Sequence, residues 1–161
     1  MTKTASGIIG SEAMAREALY LHLSGEFRTR SNWTVLGSGI SRTAYLAPDG
    51  VVYKVGYSDD NKNDAAAYAF LSKLPHPIYS VPVAAEYIPI MQDEYGTAIS
   101  VCAMEYIDGE VSWATSEAGA YFGHTDLHSG NIRMKDNRVY CIDNGFFRSD
   151  KVRYTVVTPI A

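Results

Sequence analysis

His124-Thr125-Asp126-Leu127-His128-Ser129-Gly130-Asn131 sets an acid, two imidazoles and a carboxamide into one stretch. The stretch has neither helical nor strand periodicity, so it reads as a loop dense in polar groups. Asp126 has the chemistry to accept a hydroxyl proton. Asn131 can offer its side-chain oxygen to Mg²⁺, a hard cation that prefers oxygen ligands. His124 reads best as a structural histidine whose hydrogen bonds are satisfied, and His128 is open between the two roles. A zinc site is a poor reading of this pair, because no third and fourth ligand stand at suitable spacing.

Just downstream, Ile132 to Met134 and Val139 to Ile142 flank Lys135-Asp136-Asn137, the pattern of a small hairpin. Ile142-Asp143-Asn144-Gly145-Phe146 then places an acid directly after an apolar strand. Alone, Asp143 is an ordinary acidic turn residue; beside the loop it becomes a second oxygen donor for a metal. Upstream, Gly37-Ser38-Gly39 lies between the strand-like runs Trp33–Leu36 and Thr43–Ala47. Pro48-Asp49-Gly50 turns the chain into a third run, Val51–Val55, which carries Lys54. Glycines let backbone N–H groups approach phosphates closely, and a lysine on the neighbouring strand adds positive charge. Taken alone, this is also what an ordinary hairpin with small residues looks like.

The remaining chain supplies a frame. Ala13–Leu23 reads as a helix with Ser11 as N-cap and Gly25 as its stop. A second helix, Asp64–Leu74, ends before Pro75. Val81–Ile90 and Thr97–Tyr106 read as strands, with Pro82 and Pro89 placing the first at an edge or giving it irregular ends. Trp113–Phe122 has the length of a short helix, and Tyr154–Val157 is β-prone. Residues 1–10 read as a loose tail, neither a signal peptide nor a membrane span. A hydrophobic share of 47% with 20% charged residues is that of an ordinary globular protein of one domain or two small lobes. A net charge of −4 gives no general reason to hold nucleic acid, whose backbone asks for clustered Lys and Arg. Cys102 and Cys141 sit in apolar runs and read as buried, reduced thiols, which favours a cytoplasmic location.

Together these signals run in a recognisable order: Gly-rich hairpin, strand lysine, helix, apolar strand ending in Met104-Glu105-Tyr106, Asp…Asn loop, hairpin, Asp. In that order, and in the spacing of five from Asp126 to Asn131, the sequence resembles the protein-kinase-like superfamily from near Trp33 to Phe146. His124-Thr125-Asp126-Leu127-His128 with Asn131 is similar to the His-x-Asp-Leu-His-x-x-Asn loop of aminoglycoside and other small-molecule phosphotransferases, and to short kinase-like proteins of bacteriophages. The resemblance implies an α+β fold, with an antiparallel N-lobe sheet, one main helix and a strongly reduced C-lobe. It implies a single domain over 1–161, divided into a tail and helix (1–32), an N-lobe (33–109) and a minimal C-lobe (110–161). It further implies an ATP- and Mg²⁺-dependent phosphotransferase acting on a protein or small-molecule hydroxyl. Gly37 and Gly39 would cover the ATP phosphates and Lys54 would bind them. Met104, Glu105, Tyr106 and Ile107 would line the adenine pocket, with backbone groups of Glu105 and Ile107 reading the base. Asp126 would be the catalytic base, and Asn131 and Asp143 would hold Mg²⁺. Pro75-His76-Pro77-Ile78 is similar to the segment after the first large helix in kinases.

The sequence departs from the family pattern in four places. Arg42 stands where the third glycine of the Gly-rich loop belongs, and could itself reach a phosphate. The helix lacks a glutamate for Lys54 and offers Asp64, one methylene shorter, ahead of Asp59 and Asp60. Asp143-Asn144-Gly145 replaces Asp-Phe-Gly. Finally, only 15 positions separate Gly109 from His124, and 18 residues lie beyond Asp143. The expectation is therefore that the substrate-binding helices are missing, and that a second copy, a partner protein or the substrate completes the site. A non-catalytic kinase-like module that binds nucleotide or a partner is the competing expectation. No membrane or nucleic-acid partner is expected.

Overall fold

The computed structural model describes residues 3–4, 7–29, 32–39, 41–92, 94–113, 115–124, 127–143 and 152. Two very short strands, β1 (Lys3–Thr4) and β2 (Gly7–Ile8), pair antiparallel where the sequence reads as a loose tail. The next residues are tied down: the Ile9 carbonyl accepts from Tyr87 Oη at 2.6 Å, and Ser11 N–H donates to Tyr53 Oη at 3.2 Å. Helix α1 (Glu12–Ser24) begins at Ser11, whose Oγ accepts from the Met14 amide, and ends at Gly25 in the left-handed conformation with φ 73°. Both ends match their sequence signals.

Five strands form one antiparallel sheet in the order β3-β4-β5-β8-β7. They are β3 (Thr34–Ser38), β4 (Arg42–Leu46), β5 (Val52–Tyr57), β7 (Ala84–Gln92) and β8 (Ala98–Met104). Gly37 and Ser38, expected between strands, lie within β3, and the register slips between Val35 and Gly37. The Pro48-Asp49-Gly50 turn forms as expected. Gly50 takes φ 81°, a conformation glycine adopts without cost, and Asp49 Oδ1 accepts from Val51 N–H. β7 is an edge strand, and its register shifts between Tyr87 and Met91.

Because strand residues alternate faces, the sheet has two chemistries. One face is apolar: Trp33, Tyr45, Tyr53, Val55, Tyr87, Val101 and Ala103 pack on Ala15, Ala18, Leu19 and Leu21 of α1. The other meets helix α2 (Ser58–Leu71) and is graded. At one end Leu46, Val52, Met104 and Ala84 stand in register; next come Ala44, Lys54, Cys102 and Glu86; then Arg42, Gly56 and Ser100. Helix α2 matches this gradient with one buried stripe, polar in its first half (Ser58, Asn61, Asp64) and apolar in its second (Ala67, Tyr68, Leu71). The helix therefore starts six residues before the expected Asp64 and stops three before Leu74. Its first turns bury polar side chains, so hydrophobic periodicity does not reveal them.

A second sheet runs β6-β11-β10-β9. Strands β10 (Ile132–Lys135) and β11 (Arg138–Cys141) form the expected hairpin. Asp136 and Asn137 both take positive φ, 53° and 62°, as a two-residue turn matched to strand twist demands. The two-residue strands β6 (Tyr79–Ser80) and β9 (Glu110–Val111) flank the hairpin and have no sequence signal. Helix α3 (Ser116–Phe122) is capped by Thr115 and Gly123, and packs Ala118, Tyr121 and Phe122 against Tyr79, Ile132 and Val139. No helix among the described residues is long and apolar enough to cross a membrane. Tyr154–Val157 falls outside the described residues.

Candidate functional site

The polar end of the sheet and the polar half of α2 enclose a charged cluster. Lys54 on β5 points to the α2 face, where its Nζ lies 2.7 Å from Asp64 Oδ2. Asp64 is fully buried and takes a second cation on the same oxygen, Arg42 Nη1 at 2.9 Å. Arg42 Nη1 also reaches Asn61 Oδ1 at 3.2 Å, and Asn61 Nδ2 donates to Ser100 Oγ at 3.0 Å. Arg42 can lie flat here because its cross-strand partner is Gly56. A Cβ on Gly56 would stand 2.0 Å from the Ser41 carbonyl oxygen and 2.8 Å from Arg42 Cγ.

Burial alone would push the Asp64 carboxyl up. Lys54 and then Arg42 outweigh it and hold Asp64 well below the ordinary carboxylate range. Burial opposes the charge on Arg42, but Asp64 and Asp143 more than compensate and raise it further. The Tyr68 ring centroid lies 6.0 Å from Lys54 Nζ, and burial together with Asp64 keeps its hydroxyl protonated. Cys102, behind the cluster, is pushed up to about 12 by burial and by Asp64. Both cysteines are free and buried, as expected.

The hairpin brings the second half of the constellation to the first. Ile142 N–H donates to the Asn131 carbonyl at 2.9 Å, so Asn131 and Asp143 sit at adjacent strand ends. Lys54 Nζ donates to the Ile142 carbonyl, and Arg42 Nη2 lies 2.6 Å from Asp143 Oδ1. The Asp143 backbone is fixed from behind, its carbonyl accepting from Cys141 Sγ at 3.3 Å. That carbonyl also lies 2.8 Å from Nε2 of the buried His124, which must carry the proton to donate to it. His124 is thus the structural residue its sequence context implies. His128 is exposed and caps the 3₁₀ turn Ser129–Asn131: its Nδ1 accepts from Gly130 N–H, and its Nε2 lies 3.3 Å from the Asn131 amide nitrogen.

Lys54, Asp64, Asn131 and Asp143 are therefore brought together. Asp126 lies outside the described residues. Gly37 and Gly39 stand on the exposed edge strand and just past it, with the Gly39 amide bonded to the Arg42 carbonyl at 2.8 Å. Glu105 is tied to Val83 twice, through its amide at 2.8 Å and its Oε1 at 3.2 Å. The Ile107 carbonyl accepts from Gly109 N–H at 2.9 Å. Among the described residues, the Glu105 carbonyl and the Ile107 amide have no partner. Sequence reasoning missed Asn61 and Ser100, and did not foresee the two carboxylates on Arg42. The one available signal was the spacing of Asn61, Asp64, Ala67 and Leu71 along a single helix stripe.

An antiparallel five-stranded sheet carrying a lysine, a helix returning a carboxylate to it, and an Asn/Asp pair at the ends of a later hairpin make an α+β fold whose elements run in the order the sequence resemblance implies. Solved structures similar to the chain include the MAP kinase LmaMPK10 from Leishmania major, 16% identical, covering 83% of this chain and 52% of that one at a TM-score of 0.36. The GDP and kanamycin complex of the aminoglycoside phosphotransferase APH(2'')-IIIa is also 16% identical, covering 64% of this chain and 38% of that one at 0.35. A GDP complex of a mutant of that enzyme gives the same identity and TM-score. The chain spans about half or less of each of these proteins. No protein-family model and no curated protein matches the sequence.

Proposed function

We propose that the chain is a phosphotransferase that moves the γ-phosphate of Mg-ATP to a protein or small-molecule hydroxyl. The observation that carries this reading is the convergence of Lys54, Asp64, Asn131 and Asp143, from three separate parts of the sequence, on one end of the sheet. Phosphoryl transfer asks mainly for positioning and charge neutralisation, which such a cluster supplies. Lys54, oriented by Asp64, would bind the α- and β-phosphates. Gly37 and Gly39, which carry no side chain, would let the backbone cover them closely. The apolar row of Leu46, Val52, Met104 and Ala84 would face the base, and the Glu105 carbonyl and Ile107 amide would be its hydrogen-bonding groups. Asn131 and Asp143 stand at adjacent strand ends, and an amide and a carboxylate oxygen are donors that suit Mg²⁺. When bound, that ion would neutralise phosphate charge. Asp126 would accept the acceptor hydroxyl's proton as its oxygen bonds to the γ-phosphorus and the bond to the β-phosphate oxygen breaks, releasing ADP.

A second reading, a non-catalytic module that keeps the cleft to bind nucleotide or a partner, is favoured by one observation: Asp143 is already paired with Arg42. Labelled γ-phosphate separates the two. With fractionated bacterial proteins and small molecules as acceptors, wild type is expected to transfer label and Asp126→Asn to lose at least about a hundredfold of that rate while retaining ATP. Equal labelling by both would sink the catalytic reading.

A further inference from the structure

The cluster holds one more cation than its proposed work needs. Lys54 alone neutralises Asp64, yet Arg42 shares the same oxygen and spends its second nitrogen on Asp143. The two ends of this bridge differ. Asp64 is fully buried, whereas the Asp143 side chain is 48% exposed and lies on the hairpin side. The guanidinium is anchored at two atoms of α2, Asp64 Oδ2 and Asn61 Oδ1, the second held in turn by Ser100 Oγ through Asn61 Nδ2, and by one contact at Asp143. Its planar fork allows this, since the two terminal nitrogens point to separate carboxylates. A lysine could not hold both.

We infer that Arg42 is a positioning residue that occupies Asp143 when no nucleotide is bound, so that the Asp143 carboxylate becomes available to a divalent cation only when phosphates arrive to draw the guanidinium away. The inference rests on the proposed nucleotide site. With Arg42 in place the four charges Arg42, Lys54, Asp64 and Asp143 sum to zero, and a divalent ion meets both an occupied carboxylate and a nearby positive charge. A polyphosphate adds negative charge on the Lys54 and Arg42 side and offers the fork a new acceptor. Because Nη1 stays on Asp64, only the single contact of Nη2 with Asp143 has to break. The metal and the nucleotide then bind with mutual reinforcement, the reciprocal coupling expected of two ligands that share one two-position element.

The probe is Mn²⁺, counted as loss of the free-ion electron paramagnetic resonance signal, with and without ATP. The proteins are wild type, Arg42→Lys and Asp143→Asn. Without nucleotide, wild type is expected to bind Mn²⁺ no better than Asp143→Asn. Arg42→Lys keeps a cation for Asp64 but takes the guanidinium off Asp143, and should bind about tenfold tighter. Adding ATP should tighten wild type to the level of the Lys variant, while changing that variant less. Equal Mn²⁺ affinity of wild type and Arg42→Lys without nucleotide would overturn the inference. So would wild type binding Mn²⁺ well above Asp143→Asn. Circular dichroism melts establish that the variants are folded; should Arg42→Lys fail there, the comparison of wild type with Asp143→Asn still decides. Equilibrium dialysis of wild type against ATP alone tests the nucleotide site separately: no retained ATP would remove the proposed function, whereas the Mn²⁺ comparison without ATP tests the Arg42–Asp143 contact by itself.

Discussion

The two sheets handle charge in opposite ways. In the five-stranded sheet Arg42, Lys54, Asn61, Asp64 and Ser100 are buried, and they satisfy one another across β4, β5, β8 and α2. In the small sheet no such network occurs among the described residues. Its polar groups bond to backbone instead: Arg138 ties the carbonyls of His76, Pro77 and Tyr79, and His76 Nδ1 accepts from the amides of Ile78 and Tyr79. Its interior is the aromatic cluster of Tyr79, Tyr121 and Phe122. The contrast locates the part of the chain where stability and function are inseparable. A charged network inside a sheet is costly unless complete, so each member depends on all the others. A backbone-tied hairpin can be altered one residue at a time.

The most severe loss should come from Asp64→Ala. It leaves two buried cations without their shared carboxylate, at a cost of about 4 kcal/mol in unfolding free energy. Urea denaturation measures it. A loss below about 1 kcal/mol would mean that water, not Asp64, satisfies Lys54 and Arg42. Acid adds a direction. The folded carboxyl sits below the ordinary range, so the unfolded chain takes up the proton first. The Asp64 contribution is thus complete above about pH 3.9 and is lost as pH falls through the lower folded value. Asp64→Asn should flatten that part of the acid-unfolding curve.

A smaller and opposite effect is expected in the hairpin. Asn137 holds φ at 62°, where a side chain is tolerated at a cost and glycine is not penalised. Asn137→Gly should stabilise by up to about 1 kcal/mol and leave Mn²⁺ and ATP binding unchanged, readable in the same urea titration. Altered ligand binding would show that the turn is coupled to Asp143 more tightly than the backbone ties imply.

The same contrast explains what could be read in advance. Helix α1, the Asp49-Gly50 turn and the β10–β11 hairpin carry local signals: a capping serine, a glycine at positive φ, alternating apolar residues. The pairing of Lys54 with Asp64 was legible only through the family resemblance, which asks the helix for an acid and put Asp64 ahead of Asp59 and Asp60. The start of α2 was not, since Ser58, Asn61 and Asp64 put polar groups on the face that sequence patterns reserve for apolar ones. Strands β6 and β9 were not legible either. Tyr79 lies opposite Val139 and Val111 opposite Arg133, pairings set by the fold rather than by their own sequence. The contact of Arg42 with Asp143 spans 101 positions, so no local spacing encodes it.

The mildest change is expected on the apolar face of the large sheet, at His22. Its Nδ1 lies 2.6 Å from Tyr45 Oη, and the rings meet edge-on at 5.9 Å. Burial lowers the pKa of His22, and burial raises that of Tyr45, so the neutral imidazole accepts from a neutral hydroxyl. Because the folded pKa lies below the unfolded one, the unfolded chain binds the proton first as pH falls. The His22 contribution is complete above about pH 6.5 and shrinks toward the folded value. Water still reaches part of the ring, which keeps the change below about 1 kcal/mol. His22→Gln can still accept from Tyr45 but does not titrate, so the stability difference between wild type and this variant should change between about pH 8 and about pH 5, with wild type losing ground at the lower pH. A difference that stays constant with pH would show that His22 keeps its ordinary affinity for protons in the folded chain. The contact with Tyr45 would then be packing alone, and the charged network on the opposite face would hold the titrating groups that matter to this sheet.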